Sequence, residues 1–89
     1  MALDVHVVTP EREIWSGEAA MVIARGVEGE VGILPQHAPL LIRLATGQLR
    51  IRMNGTEEAV DVDGGFLHVT TTEGVTRVDV LASSAEMAR

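Results

Sequence analysis

Three histidines, His6, His37 and His68, are the side chains in this 89-residue chain best suited to move a proton or hold a metal near neutral pH. Two strand histidines plus one from a loop can form a metal site, so a small metal-binding or catalytic domain is one alternative to weigh, and a free-standing interaction domain is another. They lie on separate elements, however, and no His-x-His pair supplies the spacing that gives metal motifs their force. Cysteine is absent, which excludes thiolate ligands and a disulfide framework. Serine occurs only at positions 16, 83 and 84, none in a nucleophile-elbow context, and there is no tyrosine. The paired carboxylates Glu57-Glu58 and Asp61/Asp63 flank a turn, where solvated charge is the ordinary expectation. Gly26-Val27-Glu28-Gly29 lacks the lysine and the following helix of a phosphate loop. No catalytic residue, metal ligand, cofactor or small-molecule substrate is expected, and the chain does not read as an enzyme.

The elements that would carry these residues are short strands between turn signals. Leu3-Asp4-Val5-His6-Val7-Val8-Thr9 alternates, setting Leu3, Val5 and Val7 on one face and Asp4, His6 and Val8 on the other, until Pro10 blocks continuation. Strands are expected at 13–17 and, nearly continuously apolar, at 19–24. Gly26 and Gly29 flank an acidic turn, and a loop from 29 leads to a strand at 40–44. The clearest signal is Gly47-Gln48-Leu49-Arg50-Ile51-Arg52-Met53, then Asn54-Gly55, then a return over 57–62. With Asn54-Gly55 as a type I′ turn, Leu49 faces Val60, Arg52 faces Glu57, and Arg50 lies diagonal to Glu57 and Asp61. Asp63-Gly64-Gly65 reads as the next turn, 66–71 alternates, Glu73-Gly74 turns again, and 75–81 is the last strand. Within 66–71, Leu67 and Val69 point inward while Phe66 and His68 point outward beside His6 and Val8. Only 82–89 reads as helical, with Ser83 or Ser84 as a cap and Glu86 in the first turn.

Composition narrows the partners. One small domain is expected, with Val, Leu and Ile packing its core, because Trp15 and Phe66 are the whole aromatic set. A net charge of −6 argues against nucleic acid, which requires a concentrated basic face. Every basic side chain is arginine, the better residue for planar carboxylate pairing. No apolar run is long enough to cross a bilayer, and the amino terminus lacks the basic and hydrophobic regions of a signal peptide. A soluble, intracellular protein is expected, reaching a membrane only through a partner.

Six stretches, in order and covering the whole chain, carry a family resemblance. They are Leu3-Asp4-Val5-His6-Val7-Val8-Thr9-Pro10-Glu11, Ser16-Gly17-Glu18, Gly29-Glu30-Val31-Gly32-Ile33-Leu34-Pro35-Gln36-His37-Ala38-Pro39-Leu40-Leu41, Gly47-Gln48-Leu49-Arg50-Ile51, Gly64-Gly65-Phe66-Leu67-His68-Val69 and Val78-Asp79-Val80-Leu81-Ala82. The chain resembles the epsilon subunit of F-type ATP synthases, and the Gly-Glu-x-Gly-Ile-x-Pro-x-His-Ala-Pro-Leu element is its most specific part.

The resemblance implies an all-β, ten-stranded β-sandwich (a flattened barrel) over residues 1–82. Residues 83–89 would then be the start of a truncated or absent helical region. It implies a non-catalytic rotor subunit of the central stalk in a proton-translocating synthase, binding the gamma subunit and the c-ring and coupling proton flow to ATP synthesis. Such a subunit lies peripherally on the cytoplasmic face of an energy-transducing membrane, most simply a bacterial inner membrane. By position in the motif, Glu30, Gly32 and His37 match residues facing the c-ring. Glycines 29 and 32 permit a tight passage, and Pro35 and Pro39 restrict the loop that presents His37. Val8, Trp15, Leu41, Phe66 and His68 match the gamma-facing surface. The helical hairpin of longer members, with its inhibitory and nucleotide-sensing functions, would begin past Arg89, so nucleotide binding is not expected.

Overall fold

The computed structural model describes residues 2–88. Eight strands make up its regular structure: β1 (Leu3–Val8), β2 (Glu13–Ala19), β3 (Met21–Gly26), β4 (Gly29–Ile33), β5 (Leu40–Arg43), β6 (Gly47–Met53), β7 (Thr56–Thr72) and β8 (Val75–Met87). Hydrogen bonding runs in the order β2-β1-β8-β7-β6-β3-β4, with β5 attached to β7. Every pairing is antiparallel except β1 with β8.

Two long strands give the domain its layers. The first part of β7 pairs with β6 (Leu49↔Val60, Arg52↔Glu57), whereas its last part pairs with β5 (Leu40↔Val69, Arg43↔Phe66). Likewise the first part of β8 lies along β1, and its last part continues only against β7. The sheet thus folds over itself, and each half turns alternate side chains inward. Leu3, Val5, Val7, Leu67, Val69, Val78 and Val80 come from one layer. Val22, Ala24, Ile33, Leu49, Ile51, Val60 and Val62 come from the other, and together they form one buried cluster. Ile14, Trp15, Leu40, Ile42 and Met87 pack at its margins.

The fold-over is made at Gly65. Its φ is +112°, and an added Cβ would strike the Leu81 carbonyl oxygen and lie 2.7 Å from Ala82 Cα. The register runs unchanged through the bend, from Asp63 against Ser84 to Gly65 against Ala82, with Gly64 and Ser83 between them. The bend is stitched to the strand beside it. Leu44 N–H donates to the Gly65 carbonyl at 2.8 Å, and the Thr46 hydroxyl donates to Asp63 Oδ1 at 2.6 Å.

Five expectations are corrected here. Eight continuous strands replace the expected ten, because Asp63-Gly64-Gly65 is a kink inside β7, not a turn, and β8 likewise serves both layers. The flattened-barrel closure is not formed, since the sheet path ends at β2 and β4. Residues 29–33, read as loop, are β4, a hairpin with β3 closed at Gly26↔Gly29.

The helical start expected from Ser83 onward is strand: Ala85 pairs with Val62 and Met87 with Val60, and Ala88 N–H donates to the Ala59 carbonyl at 2.9 Å. A segment this short cannot repay helix nucleation, while β7 offers an unpaired ladder and a place for Ala85 and Met87 against the core. Met1 and Arg89 lie outside the described residues. The Asn54-Gly55 turn also differs in type. Gly55 has φ +82° while Asn54 keeps a negative φ, the type II pattern; both central residues are positive instead at Glu73 (52°) and Gly74 (81°).

Gly65→Ala should therefore cost about 3 kcal/mol or more, combining left-handed strain with a backbone collision. Gly74→Ala has positive φ but open space around it, and should cost only about 1 kcal/mol. Urea unfolding followed by Trp15 fluorescence measures both, and equal losses would contradict this account of the kink.

Candidate functional site

The outward face of the β2-β1-β8-β7-β5 layer carries three cross-strand rows. At one end Phe66 is paired with Leu81 and Arg43, Leu81 with Val8, and Val8 with Glu13. The middle row runs Leu41, His68, Asp79, His6, Ser16, and the third Thr70, Arg77, Asp4, Glu18. Phe66 is 45% exposed, Leu81 50% and Leu41 65%. Val8, Phe66 and Leu81, with Thr9, Pro10 and Ser83, line an open and largely apolar trough of about 370 Å³. Exposed large apolar side chains gathered on one sheet face mark a docking surface more strongly than any one of them alone.

Of the gamma-facing residues expected from sequence, Val8, Leu41, Phe66 and His68 share this face. Trp15 does not. It stands opposite Val7, on the inward side of β2, where its indole lies over Gly17 and against the core margin. Leu81 was missed, although its signal was present: it lies outward by the same alternation that sends Val78 and Val80 inward.

Charge on this face is interlocked. His6 Nε2 lies 3.0 Å from Asp4 Oδ1, and His6 Nδ1 lies 3.8 Å from Glu13. Arg77 Nε donates to both oxygens of Asp79, at 3.1 and 3.0 Å, and its guanidinium reaches Asp4 at 3.9 Å. The Asp79 hydrogen bond and negative charge, with a smaller contribution from Asp4, raise the Arg77 pKa above its usual value. The pair is solvent-exposed and adds little to stability.

The second group is spread along β4 and the loop after it. Glu30 pairs in register with Arg25 near the β3–β4 tip, is exposed, and lies 3.7 Å from Arg50 Nη2. It borders a groove of about 560 Å³ between that hairpin and Leu41–Arg43. Gly32 sits beside Ile23, and a Cβ there would lie 2.9 Å from the terminal methyl of Met21. His37 lies in the loop beyond β4, half-buried. Its N–H donates to the Leu34 carbonyl at 3.1 Å, and its Nδ1 sits 2.7 Å from the Ala38 carbonyl oxygen. A carbonyl only accepts, so Nδ1 carries the hydrogen and Nε2 is left for another partner. No hydrogen bond or ion pair joins Glu30 to His37 among the described residues. Nor, among those residues, do three or more His, Asp or Glu side chains gather as metal ligands.

The described residues thus form a two-layer all-β sandwich with an exposed apolar row on one face. The sequence model described as "ATP synthase, Delta/Epsilon chain, beta-sandwich domain" matches residues 2–88, and the chain belongs to this family. The ATP synthase epsilon chain of Thermobifida fusca is 49% identical over 97% of this chain and 63% of its own length. That of Frankia casuarinae is 46% identical over 98% of this chain and 99% of its own. This chain thus spans less than two thirds of the Thermobifida relative but nearly all of the Frankia one. Among solved structures, a chain in the cryo-EM structure of Euglena gracilis mitochondrial ATP synthase (OSCP/F1/c-ring) superposes with a TM-score of 0.83. It is 26% identical over 97% of this chain and 53% of its own length.

Because Met21 ends in a freely rotating methyl and Gly32 has no left-handed φ, Gly32→Ala should cost under about 1 kcal/mol. A loss above roughly 2 kcal/mol in the same denaturation assay would make Gly32 a packing residue and not a surface one.

Proposed function

We propose that this domain is a non-catalytic central-stalk subunit of an F-type ATP synthase, turning with the rotor and coupling proton flow to ATP synthesis. The observation that carries the proposal is the exposed Phe66–Leu81–Val8 row in a domain of this family. On this reading the row, with Leu41 and His68, meets the gamma subunit. Phe66 is the anchor: it is the one aromatic on the face, and aromatic side chains supply large contact area at low entropy cost. Trp15, behind the same strands, supports the face from the core side.

Glu30, Gly32 and His37 then face the c-ring from β4 and its loop. A carboxylate and an imidazole on constrained backbone suit a polar, charge-matched contact with little ordering cost. The domain works by being held between two partners. It reaches the cytoplasmic face of the energy-transducing membrane through the c-ring. The relatives named as epsilon chains and the synthase that contains the structural neighbour support this reading.

Phe66→Asp and Leu81→Asp should each weaken binding to the gamma subunit at least about 30-fold in calorimetry, as for a central anchor worth 2 kcal/mol or more. Thr56→Asp, on the exposed hairpin at the end of β6, should leave the affinity unchanged. Equal affinities for all four proteins would remove this face from the interface.

A further inference from the structure

The loop bearing His37 is tied to the end of the β7–β8 hairpin by a chain of hydrogen bonds in which Gln36, Thr71 and Thr76 lie outside both surfaces named above. Thr71 and Thr76 stand opposite one another across that hairpin, one pair in from the Glu73-Gly74 turn. Thr76, 1% exposed, is the buried polar residue of the described chain. Gln36 N–H donates to Thr76 Oγ1 at 2.7 Å, the two threonine hydroxyls are 3.0 Å apart, and the Thr71 hydroxyl donates to the His37 carbonyl at 3.1 Å.

The ends of this chain fix its direction. A backbone N–H can only donate and a carbonyl only accept. Thr76, having accepted from Gln36, therefore donates to Thr71, whose own hydrogen goes to His37. Each hydroxyl gives one bond and takes one, the arrangement in which successive bonds polarise each other favourably. The relay leaves the loop at residue 36 and returns to it at residue 37. Gln36 also holds φ +69°, unusual for a residue with a side chain, and its amide donates to the Gly74 carbonyl at 2.9 Å.

We propose that Thr71, Thr76 and Gln36 are positioning residues that lock the 34–39 loop, so that His37 presents Nε2 in one orientation to a polar partner surface. Nothing in the relay touches that partner. Its effect is to settle the loop before contact, which removes an ordering cost from docking. This rests on the reading that His37 meets the c-ring.

Two measurements on Thr76→Val, Thr76→Ser, Gln36→Ala and His37→Ala test it: amide exchange in the purified chain, and proton pumping per ATP hydrolysed in reconstituted synthase. In Thr76→Val, exchange at Gln36 and His37 should quicken at least tenfold, and pumping should fall as far as in His37→Ala. Thr76→Ser, which keeps the hydroxyl, should restore both. Gln36→Ala removes only the tether to Gly74 from an exposed position. It should quicken loop exchange too, and keeps the test open if Thr76→Val does not fold. Gamma affinity should be unchanged throughout.

Unaltered exchange in both Thr76→Val and Gln36→Ala, or no rescue by serine, would overturn the lock. Quickened exchange with normal pumping, while His37→Ala pumps poorly, would overturn the positioning role. Normal pumping in His37→Ala would instead overturn the c-ring reading, and with it the purpose assigned to the lock.

Discussion

The passage of Gly65 against the backbone of Leu81 and Ala82 is the contact on which the rest of the molecule depends. No side chain fits between the two strands there, so β7 and β8 can bend together without separating. Because they bend together, one continuous hydrogen-bonded path supplies both layers, and the aliphatic side chains of each layer meet in a single core. A small domain with two aromatics has little apolar area to spare. Sharing two long strands between layers gives the core a covalent and hydrogen-bonded frame that separate short strands would lack.

That frame also determines which side chains the outer face of the sheet presents. Inward alternation consumes Val78, Val80, Leu67 and Val69, and the intervening positions necessarily form the outward rows. The kink sets the end of the face where Phe66 and Leu81 emerge beside Val8. At the opposite end of the same hairpin, the Glu73-Gly74 turn brings Thr71 and Thr76 within reach of the 34–39 loop. The apolar row thus lies at the bend of this hairpin, and the anchorage of the 34–39 loop lies by its turn.

Much of this was legible in the residues. Strict alternation fixed the inward and outward faces of β1 and of the second half of β7, and it placed Phe66 and His68 together before any coordinates. The Asn54-Gly55 dipeptide gave the correct register, Leu49 against Val60 and Arg52 against Glu57, although its turn type was misread. What was not legible depended on distant partners. Ser83 to Met87 has a composition that suits a helix, and only the unpaired ladder of β7 makes it strand. Asp63-Gly64-Gly65 has the composition of a turn, and only the crossing strand makes it a kink. The resemblance places Trp15 with the outward residues, whereas strand parity turns it inward opposite Val7. Leu81 lies outward by the same parity, which the alternation of Val78 and Val80 already carries. The threonine relay joins positions 36 and 76, and no local pattern could have announced it.

The most direct test of the central claim is a structure of the assembled rotor containing this chain, resolved well enough to see side chains. The bent sandwich should lie with Phe66, Leu81 and Val8 buried against the gamma subunit, and the loop bearing His37 should rest on the c-ring. A rotor in which that row faces solvent, with the domain held instead through its β2 or β4 edge, would contradict the account.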